Sequence, residues 1–146
     1  MGNQIGNHSW SHPDMTSMSS EDIKKQINDT NAKIKSVTGK KPTVMRTPYG
    51  VSNQNVRDNI SMPIILWSVD TLDWKTQNAD STYNAIMNHA KDGAVVLMHD
   101  LYTPTANAAV RAIPALVDKG YQLVTIEEMA LLKGVTLKKG SVYGNF

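Results

Sequence analysis

Between residues 20 and 38 the apolar positions Ile23, Ile27, Ile34 and Val37 recur at helical spacing. Ser19 and Ser20 precede Glu21 and Asp22 as a start signal, and Gly39 follows as a stop. That pattern predicts a helix. Thr43 to Arg46 reads as a short strand, cut off by Thr47-Pro48-Tyr49-Gly50, and Ser52 to Asn59 can form a short helix. Pro63 to Val69 is a largely apolar run, the pattern of a strand buried on both faces, and Asp70 to Ala79 reads as polar loop. Asp80 or Ser81 can cap a helix carrying Tyr83, Ile86, Met87 and Ala90 and ended by Gly93, after which Ala94 to Met98 is again a buried-type strand. Thr103-Pro104 starts a further helix with Val110, Ile113, Leu116 and Val117 on one face, which Pro114 is expected to kink or divide. Gly120 closes it. Tyr121 to Thr125 reads as the last strand, and Thr125-Ile126-Glu127-Glu128 as a capping box for a short helix to about Leu132, followed by a loop-like tail from Gly134.

With an opening strand expected at Gln4 to Asn7, the order is five strand-helix units in succession, which calls for a parallel sheet with right-handed crossovers. Two architectures meet that description, an open doubly wound sheet and a (β/α) barrel. Both place ligands beyond the carboxyl ends of the strands. His8 and His12, Arg46, Asp70 and Asp73, then His99 and Asp100 all fall at or just beyond those ends. Scattered surface residues would not gather at the same end of every unit.

The 146 residues suit one domain spanning 1–146, and 40% hydrophobic with 19% charged residues is the composition of a folded protein. A net charge of +2, with no basic cluster denser than pairs such as Lys40-Lys41 and Lys138-Lys139, leaves no nucleic-acid footprint. No apolar run has the length of a membrane span, and Met1-Gly2-Asn3-Gln4 lacks the features of a secretory signal. The chain has no cysteine, so a transition-metal site would need His, Asp and Glu ligands. His8 and His12 could reach one ion, although His-x-x-x-His also occurs by chance and on solvated helix faces.

His8-Ser9-Trp10-Ser11-His12-Pro13, Arg46-Thr47-Pro48-Tyr49, Asp70-Thr71-Leu72-Asp73-Trp74 and Leu97-Met98-His99 follow one another in the order of known signature blocks. Together they resemble the polysaccharide deacetylases, the NodB-homology domain of carbohydrate esterase family 4. Gly120-Tyr121 and Thr125 to Glu128 are similar to that family's usual ending. The resemblance implies an α/β fold, a distorted (β/α) barrel. The family's first block, Thr-Phe-Asp-Asp-Gly, is absent upstream of His8, so the expectation is an N-terminally truncated domain that lacks its first strands, completed by a missing segment or a second chain.

The resemblance implies metal-dependent hydrolysis of N-acetyl groups on N-acetylglucosamine in a cell-wall polysaccharide, peptidoglycan being favoured by the stretch Trp67 to Trp74. Chitooligosaccharides and acetylated xylan are the alternative substrates, and a glycan-binding remnant without its base is the alternative class. His8 and His12 would hold a divalent metal, zinc first, with cobalt or manganese as alternatives. His99 would protonate the departing amine, and Asp73, or less favourably Asp70, would hold His99 and favour its charged form. Arg46 would orient the general base of the absent block, and the Tyr49 backbone N–H would stabilise the developing oxyanion. Trp74 and Leu97 would shape the pocket for the acetyl methyl. The resemblance also implies an extracytoplasmic, secreted or cell-wall location. His89 reads as a helix-surface residue, Trp67 as core, and Glu127 and Glu128 as dipole and capping partners.

Overall fold

The computed structural model describes residues 2–146; Met1, read above only as part of a segment without a secretory signal, lies outside the described residues. The chain forms two compact units, the first comprising residues up to Leu66 with Ala130–Tyr143, the second Trp67–Met129 with Gly144–Phe146.

In the first unit, α1 (Ser20–Thr38) has the expected bounds, with the Ser19 hydroxyl accepting from the Asp22 N–H and Gly39 closing the helix at φ 77°. Glu21 and Asp22 sit in the first turn, where the helix dipole favours negative charge. Ile23 and Ile27 are buried, whereas Val37 at the far end of the stripe is 73% exposed. The core of this unit joins Met15, Ile23 and Ile27 to Met45, Val56, Ile60, Met62 and Ile64. Val56 and Ile60 reach it from α2 (Gln54–Asn59) and its C-cap, the helix being capped by the Asn53 side chain on the Val56 N–H.

Extended pairing in this unit is sparse. The strands expected at 4–7 and 43–46 reduce to parallel bridges, Asn7 with Met45 and Met45 with Ile64. β1 (Ile64–Ile65) pairs in parallel with β4 (Val142–Tyr143), so the tail read as loop supplies a strand. Nothing in the polar-apolar pattern of residues 134–146 marks that strand, because two residues are too few to show a period.

The apolar run 63–69 does not form one strand. Ser68 and Val69 N–H groups both reach the Val95 carbonyl, at 3.0 and 3.1 Å, and two donors on one acceptor interrupt the ladder as a bulge does. β2 (Val69–Asp70) therefore belongs to the second unit, paired in parallel with β3 (Val96–Leu97). The segment read as polar loop contains α3 (Asp73–Thr76), entered through Leu72 at φ 52° and left through Gln77 at φ 45°. Asn78 caps α4 (Ala79–His89) by accepting from the Ser81 N–H, displacing the expected cap by two or three positions.

α5 (Thr103–Asp118) runs through Pro114 as one helix. Pro114 and Val110 lie on the exposed side, so the carbonyl that loses its partner four residues back can be hydrated instead. The buried face differs from the expected one. Thr105, Ala108, Ala112 and Leu116 face inward, with Ala112 and Leu116 packed in a cluster with Ile86, while Val110, Ile113 and Val117 are exposed. Small residues at 108 and 112 let α5 approach α4 closely, and this contact selects the face, not bulk hydrophobicity. Residues 121–125 are irregular, held by Tyr121 N–H on the Leu116 carbonyl and the Tyr121 hydroxyl on the Ala90 carbonyl. The capping box forms as expected at α6 (Ile126–Leu132), with reciprocal bonds between Thr125 and Glu128.

The two faces of α5 separate by truncation. Leu116→Ala is expected to cost about 2–5 kcal/mol, whereas Val110→Ala should change stability by no more than about 0.5 kcal/mol. Urea unfolding of the two variants checks this, and equal costs would contradict the observed face.

Candidate functional site

The first unit carries His8, His12, Arg46 and Tyr49. Asn7 is buried at 1% exposure, and its backbone bonds with Val44 and Arg46 set His8 and Arg46 just past the bridged positions. The Asn7 Oδ1 accepts from the Ser9 N–H at 2.8 Å, while Nδ2 donates to the Ile27 carbonyl and Asn31 Oδ1 at 3.0 and 2.7 Å. From there the chain turns through Ser9 and His12 in the left-handed region, at φ 66° and 55°. Each such residue stores about 1 kcal/mol or more, which the surrounding hydrogen bonds must offset. The His12 N–H is held by Ser9 Oγ at 3.0 Å.

The His8 Nδ1 lies 2.8 Å from the Arg46 carbonyl. A carbonyl only accepts, so Nδ1 is the donor, and the lone pair of the neutral ring is then on Nε2. That is the tautomer of a metal ligand whose other nitrogen is anchored to a backbone carbonyl. The His8 and His12 rings meet edge to face with centroids 4.9 Å apart, and His12 meets Tyr49 in the same way at 4.7 Å. Two exposed imidazoles, one locked in the ligand tautomer, fit a divalent cation that accepts nitrogen. Among the described residues, no group of three or more His, Asp or Glu side chains could hold a metal.

Tyr49, at φ 58°, and Gly50, at φ 70°, are both left-handed in the turn Pro48–Gly50, which the Gly50 N–H closes on the Thr47 carbonyl. The Arg46 guanidinium is half-buried and donates from Nε to the Ile65 carbonyl and from Nη2 to the Leu66 carbonyl, at 3.2 and 3.4 Å. Burial lowers its pKa from the ordinary value. These two bonds fix the plane of the guanidinium.

The second unit carries Asp70, Asp73, Trp74, Leu97 and His99. Asp73 opens α3 and is fully buried. Its Oδ1 accepts from His99 Nδ1 at 2.8 Å, and its Oδ2 accepts from the His99 backbone N–H at 2.7 Å and the Thr105 hydroxyl at 2.9 Å. Burial pushes the carboxyl upward, but the ring and backbone donors of His99, the Thr105 hydroxyl and the attraction of His99 together bring it below the usual aspartate range. With Nδ1 engaged, Nε2 is the His99 atom that can give or take a proton. Asp70 is exposed and turns back on its own chain, with Oδ1 accepting from the Leu72 N–H at 2.9 Å. Asp73, not Asp70, therefore holds His99. Trp74 is 49% exposed, and Leu97 is buried in β3 with its carbonyl accepting from the Thr71 hydroxyl.

Sequence reasoning missed Asn7, Thr105, Gln26 and Trp10. Thr105 lies 32 residues from the carboxylate it serves, and no local pattern signals such a contact. Trp10, 59% exposed inside the His-x-x-x-His run, could have been noticed as an aromatic kept in water beside two ligand candidates. His89 is exposed on α4, with Nδ1 on the Ala85 carbonyl.

Comparison with known proteins gives a family and its solved structures. A model of the polysaccharide deacetylase family matches residues 1–62. The chain is 45% identical over 132 residues to the peptidoglycan-N-acetylmuramic acid deacetylase PdaC of Bacillus subtilis, an alignment covering 90% of the chain and 28% of that protein. It is 43% identical over 142 residues to the peptidoglycan-N-acetylglucosamine deacetylase PgdA of Listeria monocytogenes, covering 97% of the chain and 30% of that protein. The chain thus spans less than a third of the length of these curated relatives. Among solved structures, a family 4 acetyl xylan esterase from Clostridium thermocellum in complex with a cobalt ion aligns with a TM-score of 0.90 and 33% identity, covering 97% of the chain and 71% of that chain.

The Asp73 carboxyl makes stability depend on acid. Its folded pKa lies below the ordinary 3.8, so its contribution is complete above that value and is lost as pH falls through the lower, folded one. Asp73→Asn is expected to lower Tm at neutral pH, and the gap to the parent should narrow as pH drops below about 4. Calorimetric scans across that range measure it, and a constant gap would contradict the assignment.

Proposed function

Because the chain belongs to the polysaccharide deacetylases, carbohydrate esterase family 4, and shares their fold, we propose that it serves in metal-assisted removal of N-acetyl groups from the N-acetylglucosamine residues of peptidoglycan. The observation that carries this reading is the buried Asp73 carboxylate that holds His99 through Nδ1 and leaves Nε2 to exchange a proton. The two curated relatives are named for different peptidoglycan sugars, N-acetylmuramic acid and N-acetylglucosamine, so the polymer is the better supported part of the proposal. A peptidoglycan substrate implies an extracytoplasmic location. Among the described residues, no helix is long and apolar enough to cross a membrane.

His8 and His12 would hold the divalent ion, zinc first with cobalt or manganese as alternatives, which when bound supplies Lewis-acid polarisation of the acetamide and a more acidic water. His99 would deliver its Nε2 proton to the sugar nitrogen as the C–N bond breaks, since an amine anion leaves poorly. Asp73 would orient that imidazole by accepting from its Nδ1. The Tyr49 backbone N–H would donate to the carbonyl oxygen as charge builds there, an effect worth about 3 kcal/mol per donor in other enzymes. Trp74 and Leu97 would surround the acetyl methyl and disfavour longer acyl groups by shape. The base that takes the water's proton and a third, oxygen ligand belong to the family's Asp-Asp block. A segment bearing that block would supply both, and Arg46 would orient its base through paired N–H donors.

A second reading is glycan binding without turnover. It is favoured by the ligand set, since among the described residues no third His, Asp or Glu joins His8 and His12, and two imidazoles alone make a weak metal site. Acetate release measured on peptidoglycan, chitooligosaccharides and acetylated xylan, with and without added Zn2+ or Co2+, separates the readings. Metal-stimulated release from peptidoglycan is expected; release from acetylated xylan alone would refute the proposal, and peptidoglycan binding without acetate would favour the second reading. Mass spectrometry of the products assigns the sugar. His99→Ala is expected to lower kcat by about 10²–10⁴-fold with little change in KM. Calorimetry of the 146-residue chain should show weak Zn2+ binding, and affinity typical of a complete three-ligand site would contradict the two-imidazole set.

A further inference from the structure

The backbone between the two histidines is gripped from outside by one side chain of α1. The Gln26 Oε1 accepts from the backbone N–H groups of both Trp10 and Ser11, at 2.9 and 3.0 Å, and its Nε2 donates to Ser11 Oγ at 3.0 Å. The two residues so held are flanked by both left-handed residues of the run, Ser9 and His12. An unsupported five-residue loop with two such residues would relax toward ordinary backbone angles and carry its imidazoles apart. Gln26 itself has little freedom. It precedes Ile27, which is buried in the core with Ile23, and its carbonyl accepts from the Thr30 hydroxyl at 2.8 Å.

We propose that Gln26 is a positioning residue for the His8–His12 pair, fixing the loop in the shape that lets both imidazoles share one divalent cation while keeping the Trp10 ring in solvent. This rests on the metal-assisted reading above. A carboxamide suits the task because one oxygen with two lone pairs serves two consecutive N–H groups while the NH2 group engages Ser11. Glutamate can repeat the first function and accept from the Ser11 hydroxyl in place of donating to it. Methionine, of the same length, can do neither.

The test compares Gln26→Met with Gln26→Glu on the full chain. Two readouts apart from turnover are followed: amide hydrogen exchange at Trp10 and Ser11 without metal, and Co2+ affinity by titration. Gln26→Met is expected to speed exchange at both amides and to weaken Co2+ binding by about 10–100-fold, the range seen for partners that orient metal ligands. Gln26→Glu should stay close to the parent in both. Thermal unfolding of both variants shows whether either has lost its fold, in which case the Glu variant alone must retain parental exchange and affinity for the inference to stand. Parental Co2+ affinity in a folded Gln26→Met, or Gln26→Glu as weak as Gln26→Met, would overturn it. Absence of Co2+ binding by the parent would instead remove the metal-assisted reading, and this inference with it.

Discussion

A polar side chain taken out of water costs free energy unless it finds partners inside the protein, and that cost organises the chemistry around Asn7 and Asp73. Asn7 at 1% exposure and Asp73 at 0% are two such groups in the candidate site segments. Each satisfies the requirement with hydrogen bonds to groups distant in sequence, Asn7 with Ile27 and Asn31 besides its neighbour Ser9, and Asp73 with His99 and Thr105. Leaving any of these unmade would cost about 1–3 kcal/mol, more for the carboxylate. Satisfying Asn7 sets the start of the histidine run, and satisfying Asp73 sets both the ring and the backbone of His99. A functional side chain is thereby placed by the desolvation cost of its neighbour.

The regular elements supply the frame for these contacts but little of the specificity. Each sheet has two strands of two residues. Much of the remaining positioning is done by single bridges, helix caps and side chains that reach backbone groups. Ser19, Asn53, Asn78 and the Thr125–Glu128 pair each fix a helix start. Left-handed residues at Ser9, His12, Tyr49 and Leu72 lie within the signature segments. Such strain persists only where surrounding bonds over-determine the backbone.

Helices were legible wherever a local rule governs them. α1 carries its cap, acidic first turn, apolar spacing and terminal glycine within 21 residues, so the pattern delimits it. The capping box at Thr125 is equally local. Strands and faces were less legible, since they depend on the partner. The run at 63–69 reads as one strand until Ser68 and Val69 both turn to Val95, and β4 is invisible without Ile64 to pair with. On α5 the larger side chains suggested the wrong face, because close approach to α4 favours alanine at the contact.

What the sequence by itself determined is the set of chemical groups and their order: two histidines four apart, Arg46 ahead of a Pro-Tyr turn, an Asp-x-x-Asp-Trp segment and His99 after an apolar strand. Residue identity and spacing along the chain are enough for that, since side-chain chemistry is local. Only the tertiary structure decided which acid holds His99, which tautomer His8 adopts, and which helix residue grips the histidine loop. Those are outcomes of burial and hydrogen-bond satisfaction between segments 15 to 38 residues apart. The free energy of such contacts exists only once the chain has brought the segments together.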